Sequence, residues 1–171
     1  MTLFHIGEKV VYPNQGIGTV ENISSRSFGG ARFERFYLLR LTYNSMTVMV
    51  PFSHVEEIGL RAITRNEEVA KVLAYLSEPE PKTKADWKDR FKDNSEKMRH
   101  GSLLEIAEVI KMLLILQVEK PLSFREKKML QRSRHMLITE VSIARGLKEE
   151  QAFDVLQHSL GKATLRLPVE V

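Results

Sequence analysis

Residues 64–76, Thr64-Arg65-Asn66-Glu67-Glu68-Val69-Ala70-Lys71-Val72-Leu73-Ala74-Tyr75-Leu76, mark the point where the chain changes its hydrophobic period. Val69, Val72, Leu73 and Leu76 recur at three- and four-residue spacing, the mark of one helical face. Thr64 and Glu67 stand three apart just ahead of that face and read as a capping box. Upstream of Thr64 the period is two. A chain that alternates first and then turns helical is of the α+β class, with a boundary near Gly59-Leu60-Arg61. No Gly- or Ser-rich linker separates the halves.

In the first half, Lys9–Tyr12, Ile17–Ser25, Phe33–Thr42 and Met46–Val50 read as short strands, with Gly18 at a bend. Pro13-Asn14-Gln15-Gly16, Ser27-Phe28-Gly29-Gly30 and Tyr43-Asn44-Ser45 are the turns between them. Four or five short strands within residues 1–60 predict a small, bent antiparallel β-barrel of SH3 or Tudor type, usually a binding module. Its Ser45–Val50 strand is a candidate edge, open to a partner's sheet.

In the second half, residues 61–171, further caps follow in order. Ser77-Glu78-Pro79-Glu80-Pro81 ends the first helix. A second runs through Trp87 to Gly101. Ser102-Leu103-Leu104-Glu105 and Ser123-Phe124-Arg125-Glu126 are capping boxes that open two more. Gly146 is a stop signal, and residues 148–160 make a last helix before Gly161. About five helices with short links predict a compact bundle centred on the apolar 102–118 helix. The tail from Lys162 to Val171 carries no clear signal.

Composition narrows the function. The chain has 171 residues, is 43% hydrophobic and contains no cysteine. That excludes disulfide scaffolds, thiol catalysis and cysteine-ligated metals. The N-terminus lacks the pattern of a signal peptide, and Glu105, Glu108 and Lys111 interrupt the longest apolar run. A cytoplasmic protein without a membrane partner is the expectation. The histidines His5, His54, His100, His135 and His158 form no metal spacing, and no phosphate loop or nucleophile motif is present. Asp86, Asp89 and Asp93 share a helix face with basic neighbours, which favours surface ion pairs. An enzyme, a cofactor or a metal is therefore not expected.

The net charge is +4 and is unevenly spread. Residues 1–60 balance five Lys/Arg against five Asp/Glu. Residues 81–100 carry seven Lys/Arg against four Asp/Glu, and residues 120–135 carry six against Glu126 alone. Trp87, the only tryptophan, lies in the first basic window, just inside a helix start. A flat apolar ring among cations suits a nucleic acid: cations and helix dipole attract phosphates, and the ring stacks on or wedges between bases. The same residues also fit an ordinary amphipathic helix, with Trp87 and Phe91 one turn apart in the core.

The chain also resembles the CarD/CdnL regulators of bacterial transcription, of the short CdnL type. The likeness rests on Ile6-Gly7-Glu8-Lys9-Val10-Val11-Tyr12-Pro13 with Gly16, on Val50-Pro51, Val55 and Ile58-Gly59-Leu60-Arg61. It continues through Asp86-Trp87 with Arg90-Phe91-Lys92, Glu105–Val109, and Leu122–Leu130, in register from about residue 4 to 145. The resemblance implies that residues 1–60 are a Tudor-like domain binding the β subunit of RNA polymerase. Arg26 is the implied contact, with Thr47, Met49 and Pro51 on the same interface; Met49 falls where some members have a second arginine. It implies that residues 61–171 touch promoter DNA at the upstream edge of the melted bubble. There Trp87 would wedge into the minor groove, and Arg90, Lys92, Lys127 and Lys128 would hold the phosphate backbone, largely independently of sequence. Phe91 is then the core residue of the pair. The protein is expected to act as a monomer. The competing expectation is an adaptor that binds polymerase through the barrel edge without touching DNA.

Overall fold

The computed structural model describes residues 3–27, 33–79 and 90–169. The chain is α+β and divides into two compact units, Met1–Ile63 and Thr64–Val171. This boundary lies slightly beyond the expected one, because Arg61–Ala62 forms a strand of the first unit.

Among the described residues, the first unit is a five-stranded antiparallel sheet. Its strands are β1 (Lys9–Tyr12), β2 (Gly16–Ser27), β3 (Phe33–Leu41), β4 (Thr47–Pro51) and β5 (Arg61–Ala62), in the spatial order β4-β3-β2-β1-β5. The described residues form an open sheet with β4 and β5 at its ends, where the sequence led us to expect a closed barrel. A 3₁₀ turn (Phe52–His54) and a single-turn helix α1 (Val55–Ile58) follow β4. Phe4, Val10, Val20, Tyr37, Leu39, Val50, Val55 and Leu60 make its core. Tyr37 organises that core: its ring stacks on Phe52 at 4.2 Å, meets Phe4 edge-on at 5.6 Å, and its hydroxyl accepts the Phe4 backbone N–H at 3.0 Å. Gly18 serves close approach rather than a bend. A Cβ there would sit 3.4 Å from the Arg40 carbonyl oxygen on β3, while the register shift of β2 falls between Val20 and Asn22.

Among the described residues, the second unit packs five helices: α2 (Asn66–Ser77), α3 (Arg90–His100), α4 (Leu103–Glu119), α5 (Phe124–Arg145) and α6 (Glu149–Lys162). The part of the expected second helix before Arg90, Trp87 included, lies outside the described residues. α4 is the centre: Ile106, Ala107, Val109, Ile110, Leu113 and Leu116 are fully enclosed. Ser102 and Ser123 cap α4 and α5 as their spacing predicts, with a complete reciprocal box at Ser123 and Glu126. Gly146 ends α5 in the left-handed conformation. Gly161 does not stop α6, which runs to Lys162.

Thr64 departs from its expected role. The residue flanking α2 is Arg65, and no side chain caps it. The Thr64 hydroxyl and backbone N–H instead donate to the buried Glu140 of α5, at 2.5 and 2.9 Å. The other end of α2 is closed by Lys111 from α4, which is 2% exposed. Its Nζ donates to the Tyr75 and Glu78 carbonyls at 2.7 and 3.0 Å and lies 4.4 Å from the Tyr75 ring centre. A cation on the last carbonyls of a helix suits its dipole. Burial lowers the Lys111 pKa, opposed by the nearby Glu78. Burial, with Glu108 and Glu78, pushes the Tyr75 phenol up to about 12.

The tail is part of the fold. Leu165 and Leu167 enter the core, and Leu167 is fully buried. Gln157 on α6 accepts the Leu167 N–H at 2.7 Å and donates to the Leu165 carbonyl at 3.3 Å. Arg134 on α5 donates to the carbonyls of Pro168 and Val169 at 2.5 and 2.6 Å.

Candidate functional site

Apart from Trp87, which lies outside the described residues, the residues singled out by the sequence fall on two surfaces, one on each unit. The surface of the helical unit is built where the described part of α3 meets the start of α5. Arg90, the first described residue of α3, reaches Glu126 in the first turn of α5 with a 3.3 Å ion pair. Next to it, the Arg125 guanidinium lies over the Phe91 ring at 4.1 Å from its centre. These two contacts bring together the starts of two basic windows that the sequence keeps more than thirty residues apart. Lys92, Lys127 and Lys128 are all exposed there. Lys128 also lies 5.0 Å from the centre of the Phe124 ring, one turn back on α5.

Glu126 has two duties in this arrangement. It accepts the Ser123 N–H at 3.1 Å to close the cap and holds Arg90 at the same time. Burial, the largest single influence, pushes its pKa up. Hydrogen bonds from Ser123 and the contact with Arg90 together outweigh it, and the carboxyl sits below its ordinary value. The one acid of the second basic window is thus neutralised internally.

Arg90 sits differently from its lysine neighbours. It is 8% exposed, so its guanidinium is turned into the unit toward Glu126 and offers little surface to a phosphate. The reason is the helix face: Arg90, Asn94 and Met98 are the buried stripe of α3, spaced by four. Phe91 lies beside that stripe, half-buried and covered by Arg125, and is outside the main core. Phe124 was legible only as part of a cap, yet it is 73% exposed among cations. A large apolar ring left in water beside lysines was the missed signal.

The surface of the first unit is the outer side of β4. Thr47, Met49 and Pro51 alternate on this strand and pair with Arg40, Leu38 and Phe36 of β3. Arg26 on β2 pairs with Glu34, which shares that side of β3. The register therefore puts Arg26, Thr47, Met49 and Pro51 on one face of the sheet. Met49 is 36% and Met46 57% exposed, and β4 is an end strand whose second edge meets no other strand among those described.

Among the described residues, no group of three or more His, Asp or Glu could hold a metal. No helix there is long and apolar enough to cross a membrane.

Residues 4–64 match the model of the CarD-like/TRCF RID domain, and residues 71–157 match the model of the CarD C-terminal domain. The chain belongs to the CarD/CdnL family. A curated relative, the "Putative transcription factor YdeB" of Bacillus subtilis (strain 168), is 32% identical over 149 residues, covering 87% of this chain and 97% of the relative. The two family domains map onto the two compact units, with their junction in residues 64–71. The CarD/CdnL family is of transcription-factor type rather than an enzyme family, and this chain is accordingly a transcription regulator.

Proposed function

We propose that this CarD/CdnL protein binds the β subunit of RNA polymerase through the Arg26–Thr47–Met49–Pro51 face and stabilises the promoter open complex through the α3–α5 surface. The observation that carries the reading is the convergence of the two basic windows, through Arg90–Glu126 and Phe91–Arg125. It leaves Lys92, Lys127 and Lys128 exposed, and Trp87 precedes Arg90 by three positions in the sequence. Phosphate contacts from a few lysines give weak, salt-sensitive and sequence-tolerant affinity, so polymerase supplies the address. Trp87 supplies the wedge at the bubble edge, where stacking offsets the cost of parting two bases. The protein acts as a monomer in the cytoplasm, with each unit engaging one partner.

The half-life of heparin-challenged open complexes tests this. Wild type should lengthen it. Trp87→Ala should remove most of that effect while polymerase capture persists, a change of about 5- to 150-fold if stacking is worth about 1–3 kcal/mol. An unchanged half-life with wild-type protein would refute the reading. The exposed β4 edge favours a second reading, an adaptor that works through polymerase alone. Under it, open-complex lifetime would respond to Arg26→Glu but not to Trp87→Ala or Lys127→Ala.

A further inference from the structure

We propose that Phe124 is a base-stacking residue, a contact for an unpaired nucleobase at a junction of double- and single-stranded DNA. The inference rests on the reading of the α3–α5 surface as a DNA contact and adds a residue and a ligand chemistry to it. Phe124 is the first residue of α5 and is 73% exposed. Folding does not use its ring: it lies outside the core cluster and the partly buried apolar residues packed on it.

Its surroundings select the occupant. Lys128 stands 5.0 Å from the ring centre, Lys127 is exposed on the next turn, and Arg125 is held over Phe91. Glu126, the nearest acid in sequence, is already held by Ser123 and Arg90. The start of α5 adds the positive end of its dipole. An apolar protein partner would have to bury these lysines without counter-charges, at a cost in desolvation. A nucleotide offers an aromatic face to the ring and a phosphate to the lysines at once. Stacking needs a base face that is free, which a continuous duplex hides and a fork or bubble edge presents.

The test is fluorescence anisotropy of full-length protein, at low salt, on a labelled forked DNA and on a blunt duplex of equal length. The same pair of ligands is measured in a Trp87→Ala background, so that no preference for the fork can come from that indole. Wild type and Trp87→Ala should both prefer the fork. Phe124→Ala should lose about 5-fold or more on the fork and little on the duplex, and Phe124→Tyr should retain the preference. Because the ring is exposed, the thermal melt of Phe124→Ala should match wild type.

An unchanged fork-to-duplex ratio in Phe124→Ala, with Lys127→Ala weakening both ligands, would overturn the proposal and leave the DNA reading standing. Absence of binding by wild type to either ligand would overturn both. Loss of polymerase capture by Phe124→Ala with DNA binding unchanged would assign the ring to a protein surface and overturn the proposal.

Discussion

Arg90 and Lys127 show how two cations of similar sequence context divide into different duties. Arg90 is shielded and ion-paired, whereas Lys127 is exposed. Lys127→Ala should weaken DNA binding across sequences and lower the slope of log affinity against log salt by about 1. Arg90→Ala should leave that slope unchanged and instead lower the melting temperature, since it strands Glu126. Salt titrations beside thermal melts separate the two. Glu126→Gln removes the same pair from the other side and should cost about 3 kcal/mol at neutral pH. The pH dependence has a definite sign. The folded carboxyl titrates below its ordinary value of 4.5, so its contribution is complete above that value and is lost as pH falls through the folded one. Urea unfolding should therefore give a constant gap between wild type and Glu126→Gln from about pH 7 down to about pH 5, closing below pH 4.5.

At the scale of elements, the tail and β4 make contrasting predictions. Leu167 is fully buried on the helical unit, and Leu167→Ala should cost about 2–5 kcal/mol by leaving a cavity. Val169 is 72% exposed, and Val169→Ala should stay within about 0.5 kcal/mol. Chemical denaturation of both variants checks that the tail is a structural element with a defined inner side. On β4 the outer residues have the opposite character: they are dispensable to the core. Arg26→Glu and Met49→Glu should each weaken polymerase capture while leaving the melting temperature within a few degrees, because a reversed or added charge acts on the partner rather than on the fold. Retention of full capture by both variants would remove this face from the interface.

At the scale of the molecule, two cores share no residue, one in the sheet and one in the helices. Each unit should then fold alone when the chain is cut between Ile63 and Thr64. Circular dichroism melts of 1–63 and 64–171 should each show a cooperative transition, and polymerase should be captured by 1–63. Capture by 64–171 instead would reverse the assignment of partners to units. The cut must lie beyond Ala62 because that residue pairs with Val10 across β1 and β5.

The sequence by itself determined most of the elements. Alternation marked four of the five strands, helical spacing marked the long helices, and Ser102, Ser123 and Gly146 marked termini that the structure reproduces; β5 and the single-turn α1 carried no such signal. These signals are local, because caps and periodicity act within a few residues. The family was legible for the same reason, as short motifs in a fixed order. Tertiary structure decided everything that depends on distant partners. The inward turn of Arg90 needs Glu126, the closure of α2 needs Lys111, and the diversion of Thr64 needs Glu140. In each case a buried polar group is matched across more than thirty positions of chain. The tail was silent because Leu165 and Leu167 follow no helical period; only packing on the core of the helical unit buries them. Phe124 is the converse. Its local pattern names a helix start, and only the folded unit decides that its ring is left out of the core and facing water.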